Sequence, residues 1–272
     1  FCPGGRSVSL PLDEESTGTM TKPSFKSTLS LALAAPLALA LAACGDKAAT
    51  DPAAQAAPVA AVPAPAGTAW RDTVTVTADG GHMVGNPNAP IKLVEYGSLT
   101  CPTCAAFSVD GMEPLLDKYV DSGRVSFELR NFAVHGPVDI VLAQMARCGT
   151  KEAVIPLSDE VWKNMQALVG PLQANQAAVE QAMSLPMEQR FNAMAQIGGF
   201  YDFFASRGIS ADQAKACLAD VPALEALAKQ TDTFANRDQV TGTPTFTLNG
   251  NKLDGVNSWA SLEPVLQRAG AR

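Results

Sequence analysis

The chain has 272 residues, 47% of them hydrophobic, enough to bury a sizeable core in one large domain or two small ones. A formal charge of −7 argues against nucleic acid as a partner, because phosphate binding runs on clustered Lys and Arg.

Residues 1–19 are polar, begin with Phe1 and precede Met20, Lys22 and Lys26, so they are expected to lie upstream of the natural start. Leu29 to Ala43 is an apolar run of signal-peptide length, too short to span a bilayer comfortably. It ends in Leu41-Ala42-Ala43-Cys44, which resembles the lipobox of bacterial lipoproteins. That resemblance implies a lipoprotein signal peptide over 20–43, diacylation of Cys44 and attachment to a membrane through the lipid; the alternative is a plain secretory signal with Cys44 incidental. Residues 44–70, rich in Ala and Pro and without periodicity, read as an extended tether ahead of a folded domain over 71–272. Arg6, Lys22 and Lys26 balance Asp13, Glu14 and Glu15 before Cys44, so the exported part keeps the whole charge of −7. The tether has no heptads to drive association, and a monomer is expected.

Export sets how the cysteines are read. With Cys2 upstream and Cys44 in the lipobox, Cys101, Cys104, Cys148 and Cys217 remain in an oxidising compartment. The tight spacing of Cys101-Pro102-Thr103-Cys104 favours a local pair and leaves Cys148 with Cys217. Two buried free thiols are the alternative there.

Ile91 to Tyr96 is rich in β-formers and reads as a strand, and after Cys104 the residues Met112, Leu115, Leu116 and Tyr119 recur at helical spacing. The helix therefore starts at the cysteines. Pro102 suits its first position, which makes Cys101 the cap. A sulfur there faces unpaired N–H groups and the positive end of the helix dipole, which favour the thiolate. Cys101 is thus the expected nucleophile, and Cys104, one turn further in, the resolving thiol. Zinc does not fit: the only histidines are His82 and His135, and there is no second CxxC. A purely structural short-range disulfide is the remaining alternative.

Downstream, 138–237 reads as a run of helices. Val138, Val141, Leu142, Met145 and Cys148 form one stripe, and Ser210 to Gln213 forms a capping box before the short helix that carries Cys217. His135, in Asn131-Phe132-Ala133-Val134-His135-Gly136-Pro137, reads as a loop histidine. In Val240-Thr241-Gly242-Thr243-Pro244-Thr245-Phe246 a Pro heads a strand-like stretch, which makes sense as a cis proline.

Together, strand, CPTC, helix and a distant Gly-Thr-Pro strongly resemble the thioredoxin fold, an α/β class in which a cis-Pro loop faces the redox cysteines. The long helical insertion between the CxxC helix and the cis-Pro strand narrows this to the DsbA family of periplasmic thiol–disulfide oxidoreductases, alphaproteobacterial branch. The marks are "YGSLTCPTCAAF", "RNFAVHGPVDIVLAQMARC", "ACLAD" and "VTGTPTFTLNG". The resemblance implies that Glu95 is a buried acid beneath the active site, able to relay the proton of Cys104, the alternative being a solvated Glu at a strand end. It implies that Thr243 tunes the thiolate's surroundings and that Cys148–Cys217 is a structural disulfide of the insert. Such a bridge would stabilise by about 4 kcal/mol in the chain-entropy model. One position departs from the family: Thr103 stands where DsbA proteins commonly carry His. Its hydroxyl can donate to the Cys101 sulfur but brings no charge, so a less oxidising disulfide is expected.

The implied function is transfer of the Cys101–Cys104 disulfide to reduced exported polypeptides, in the periplasm of a Gram-negative bacterium, on its inner or outer membrane. Leu99, Thr100, Thr243, Pro244 and the near face of the insert would line the site. No cofactor beyond the redox-active disulfide and no metal is implied, and a DsbB-type quinone reductase would reoxidise the pair. Two other classes stay open: an isomerase or reductase kept reduced, and a non-catalytic thioredoxin-like lipoprotein.

Overall fold

A computed structural model describes residues 55–272. The expected upstream extension, the signal peptide, Cys44 and the first part of the tether lie outside the described residues. Among the described residues no helix is long and apolar enough to cross a membrane.

A short 3-10 turn (Trp70–Asp72) leads into strands β1 (Val74–Val76), β2 (His82–Gly85) and β3 (Ile91–Gly97), followed by helix α1 (Pro102–Phe107) and strand β4 (Val125–Asn131). Eight helices come next: α2 (Pro137–Arg147), α3 (Val154–Lys163), α4 (Met165–Ala174), α5 (Gln176–Met183), α6 (Met187–Ile197), α7 (Phe200–Ala205), α8 (Ala211–Leu218) and α9 (Val221–Arg237). The chain then returns to the sheet through β5 (Thr245–Leu248) and β6 (Asn251–Lys252) and closes with α10 (Trp259–Arg268). The six strands run in the order β1-β2-β4-β3-β5-β6. β3 and β4 are parallel, while β5 is antiparallel to β3, with Tyr96 opposite Thr245 and Leu93 opposite Leu248. This is the thioredoxin fold, with α2 to α9 inserted between β4 and β5.

Burial follows the strand period of two. In β3 the buried Ile91, Leu93 and Glu95 share one face, while Lys92 is exposed on the other. The upper half of the strand is covered on both faces, because α9 lays Phe234 edge-on against Tyr96, centroids 5.2 Å apart. On the main core side, Phe107 meets Phe246 at 4.8 Å, so the cysteine helix is packed directly onto the proline strand. Burying each ring contributes about 2–3 kcal/mol.

The structure departs from the sequence reading in three places. After Phe107 the helical path continues, but Ser108–Met112 and Leu115–Val120 are wound as π-helix rather than α-helix. Pro114, lying between them, has no N–H for the carbonyl four residues back. Residues 55–69, expected as extended tether, hold neither helix nor strand but lie against the domain. Ala56 and Val59 donate backbone N–H to Arg268 and Gly270, Val62 donates to Ser122, and Trp70 Nε1–H closes on the Val62 carbonyl at 2.7 Å. The capping box at Ser210 is half formed. Ser210 accepts from the Gln213 N–H, but the Gln213 amide donates instead to the Cys148 carbonyl, 2.6 Å.

Candidate active site

Cys101 sits at the junction of β3 and α1 as the N-cap of α1, in extended conformation, with Pro102 as the first helical residue. Its sulfur accepts the N–H of Cys104 at 3.5 Å, and its thiol donates to the Thr243 carbonyl at 3.3 Å. The Thr243–Pro244 peptide bond is cis, and Pro244 is buried beside the pair. Both cysteines are in the thiol form.

The two sulfurs have opposite electrostatics. The Cys101 thiol falls from the ordinary range to about 5, most of all because the Cys104 thiol donates to it. The Thr243 hydroxyl and the N–H groups of Cys104 and Thr103 add to this, while partial burial works against it. Cys104, fully buried, is pushed far up by burial first and then by the Cys101 sulfur and the Glu95 carboxylate. Glu95 is 0% exposed, and among the described residues neither carboxylate oxygen has a hydrogen-bond partner. Burial, and then the neighbouring Cys101 sulfur, raise its pKa well above the carboxylate range.

Two side chains take other roles than the sequence reading gave them. Leu99, expected to line the site, is 1% exposed and belongs to the hydrophobic core, so it presents nothing to a substrate. Thr103 is exposed at the mouth of the cleft and reaches the sulfur through its backbone N–H; the hydroxyl that stabilises the thiolate comes from Thr243, across the cleft. An open cleft of about 330 Å³ runs from Thr103 along Thr241 to Thr245 to the turn between β6 and α10. Thr100, half-buried, is held by Asp139 and His135.

Asp139, Ser98 and Trp162 were not singled out from the sequence. Asp139 is 2% exposed in the first turn of α2, and Trp162 Nε1–H donates to the Ser98 carbonyl at 2.8 Å. The one local signal was Gly136-Pro137-x-Asp139, a helix start with an acid in its first turn. Cys148 and Cys217 are joined with Cα atoms 5.9 Å apart at a sequence separation of 69, tying the end of α2 to α8. Among the described residues no group of three or more His, Cys, Asp or Glu side chains is placed to hold a metal.

The Thioredoxin family model matches residues 77–268. Over 198 residues the chain is 26% identical to a protein named as a protein-disulfide oxidoreductase from Rickettsia bellii, covering 72% of this chain and 67% of that one. Over 192 residues it is 28% identical to its Rickettsia typhi counterpart, of which 63% is covered. The chain thus spans about two thirds of the length of these relatives. Among solved structures, a protein-disulfide isomerase from Novosphingobium aromaticivorans is 34% identical with a TM-score of 0.66, covering 70% of this chain and 97% of that one. Wolbachia pipientis alpha-DsbA1, at 18% identity and TM-score 0.56, covers 72% of this chain and 93% of its own and shares the fold.

Proposed function

The chain belongs to the Thioredoxin family as a DsbA-type protein-disulfide oxidoreductase, and on that footing we propose that its Cys101–Cys104 disulfide is passed to pairs of thiols in exported polypeptides. The observation that carries this reading is the asymmetry of the pair: one sulfur sits at a helix start with its thiol lowered to about 5, and the other is sealed in the core. A dithiol whose outer sulfur is stable as thiolate favours its reduced form, which makes the disulfide an oxidant.

The reaction balances over two exchanges. A client thiolate attacks the Cys101 sulfur, the Cys101–Cys104 bond breaks, and Cys104 leaves as thiolate. With its pKa raised, Cys104 takes a proton at once, and Glu95, its own pKa raised by burial, stands beside it as the group that can relay one. The second client thiolate then attacks the client sulfur of the mixed disulfide and releases Cys101 as thiolate. Two electrons have moved from the client to the enzyme. The pair itself carries them, so no further cofactor is invoked. The cis-Pro244 loop, with the Thr243 carbonyl facing the sulfur, would align the extended client segment.

The lipobox at Cys44 and the apolar run before it support export and a lipid anchor in the periplasm, the tether without heptads supports a monomer, and family analogy supports reoxidation by a DsbB-type quinone reductase. The isomerase named for the 34% identical Novosphingobium protein is the second reading. The deciding experiment is the equilibrium potential of the Cys101–Cys104 pair in glutathione buffers. A value near about −120 mV, and up to roughly −180 mV, supports the oxidase; a value near about −270 mV overturns it in favour of a reductase. In the intermediate range, faster refolding of a scrambled than of a reduced client would select the isomerase.

A further inference from the structure

The Asp139 carboxylate belongs to the insert, yet most of its partners belong to the loop that carries Cys101. It accepts the Ser98 hydroxyl at 2.9 Å, the Thr100 hydroxyl at 2.9 Å and the Thr100 N–H at 3.0 Å, and from its own side the His135 N–H at 3.0 Å. Counting protons fixes one more group. The Thr100 hydroxyl has a single proton, and once that is given to Asp139 its oxygen faces His135 Nδ1 at 2.8 Å, so Nδ1 must carry the hydrogen. The imidazole, 51% exposed, then caps the network from the solvent side and leaves Nε2 outside it.

Ser98 passes this order to the sulfurs. Its carbonyl accepts the Cys101 N–H at 3.3 Å and the Trp162 indole N–H at 2.8 Å, which ties the loop to the start of α1 and to α3. A carboxylate buried this deeply needs its donors, and all of its donors outside α2 and the turn before it lie within three residues of Cys101. We propose that Asp139 is a positioning residue for the redox pair, holding the Ser98-Leu99-Thr100 loop so that the N–H groups of α1 and the Thr243 hydroxyl stay aimed at the Cys101 sulfur.

The proposal rests on Cys101 being the activated sulfur and deepens that reading, because it makes the insert part of the redox chemistry. It opposes two simpler roles. A purely structural carboxylate would affect stability alone. A purely electrostatic one, negative and close to a thiolate, would raise the Cys101 pKa, so neutralising it would lower that pKa. Positioning predicts the reverse sign.

The test uses the full reduced chain, alkylated with iodoacetamide between pH 4 and 8, with labelling at Cys101 read by site-resolved mass spectrometry alongside a thermal melt. The wild type should show a midpoint near 5. Asp139→Asn should move it up by about one pH unit, read as roughly tenfold slower labelling at pH 4–5. Ser98→Ala keeps the carboxylate and removes one of its three donors in the loop, so it should move the midpoint in the same direction by a smaller amount; it also carries the test should the first variant not fold. An unmoved midpoint with a lower melting temperature, or a midpoint that falls in Asp139→Asn and stays put in Ser98→Ala, overturns the proposal. A wild-type midpoint in the ordinary thiol range overturns the underlying reading of Cys101 as well.

Discussion

Replacing Glu95 by Gln removes a proton-binding group and almost no volume, and the structure fixes the sign of the effect on stability. The carboxyl is fully buried without a hydrogen-bond partner among the described residues, so its folded pKa lies well above the value of about 4.3 for an exposed Glu. Below about pH 4.3 both states are protonated and the group costs nothing. Above it the unfolded chain ionises while the folded protein stays neutral, and stability falls by about 1.4 kcal/mol per pH unit until the folded titration is reached. A folded titration lying above pH 6 makes the loss there about 2 kcal/mol, which Glu95→Gln escapes. Urea denaturation of the disulfide form at pH 4, 5 and 6 should give near-equal stabilities at pH 4 and a Gln variant about 2 kcal/mol ahead at pH 6. The disulfide form is chosen because in the dithiol form Cys101, lowered to about 5, contributes stability that is present above its unfolded pKa and lost as pH falls through 5, a slope of opposite sign. The same variant should slow client oxidation at pH 7 by about 10²-fold, the lower end for loss of a general acid. Parallel stability curves for the two proteins would refute the reasoning, since they would mean that Glu95 is ionised in the folded state.

Cys104→Ser should accumulate a glutathione mixed disulfide on Cys101, detected by intact mass, whereas Cys101→Ser should give none because Cys104 is out of reach; equal adducts would reverse the assignment. Thr103→His should place a cation beside the sulfur and lower the Cys101 alkylation midpoint below about 5, with a more oxidising pair in glutathione buffer. Removing the second bridge with Cys148→Ala and Cys217→Ala should cost up to about 4 kcal/mol, read by calorimetry as a fall in Tm of roughly 10 °C. An unchanged Tm would mean that the bridge does not close the loop in the folded protein.

The features legible in the sequence were local. A helix start made of Cys-Pro, an apolar strand before it, a Gly-Thr-Pro before a second strand and the insert's helical stripes are each written within a dozen residues, and each obeys short-range rules of capping and periodicity. The features that escaped it depend on partners far along the chain. Leu99 is buried because the insert closes over it, which no neighbour in sequence announces. The Thr243 hydroxyl acts on Cys101 through a contact spanning more than half of the domain, whereas Thr103 attracted attention only by adjacency. Gln213 abandons its capping partner because the disulfide brings the end of α2 within reach. Residues 55–69 have no periodicity to read, since their order comes from backbone hydrogen bonds to α10 and to the turn before β4.

That docked stretch has a geometric consequence. Ser122, to which Val62 is bound, precedes the start of β4, and Ala56 lines a hollow beside Leu248, the residue of β5 opposite Leu93 near the beginning of β3. The cysteines lie past the other end of β3, seven residues or roughly 20 Å away. Residues 55–69 therefore grip the domain by its floor. A pull on this stretch bears on the rim formed by α10 and the β4 turn, at the end of β3 away from the reactive sulfur.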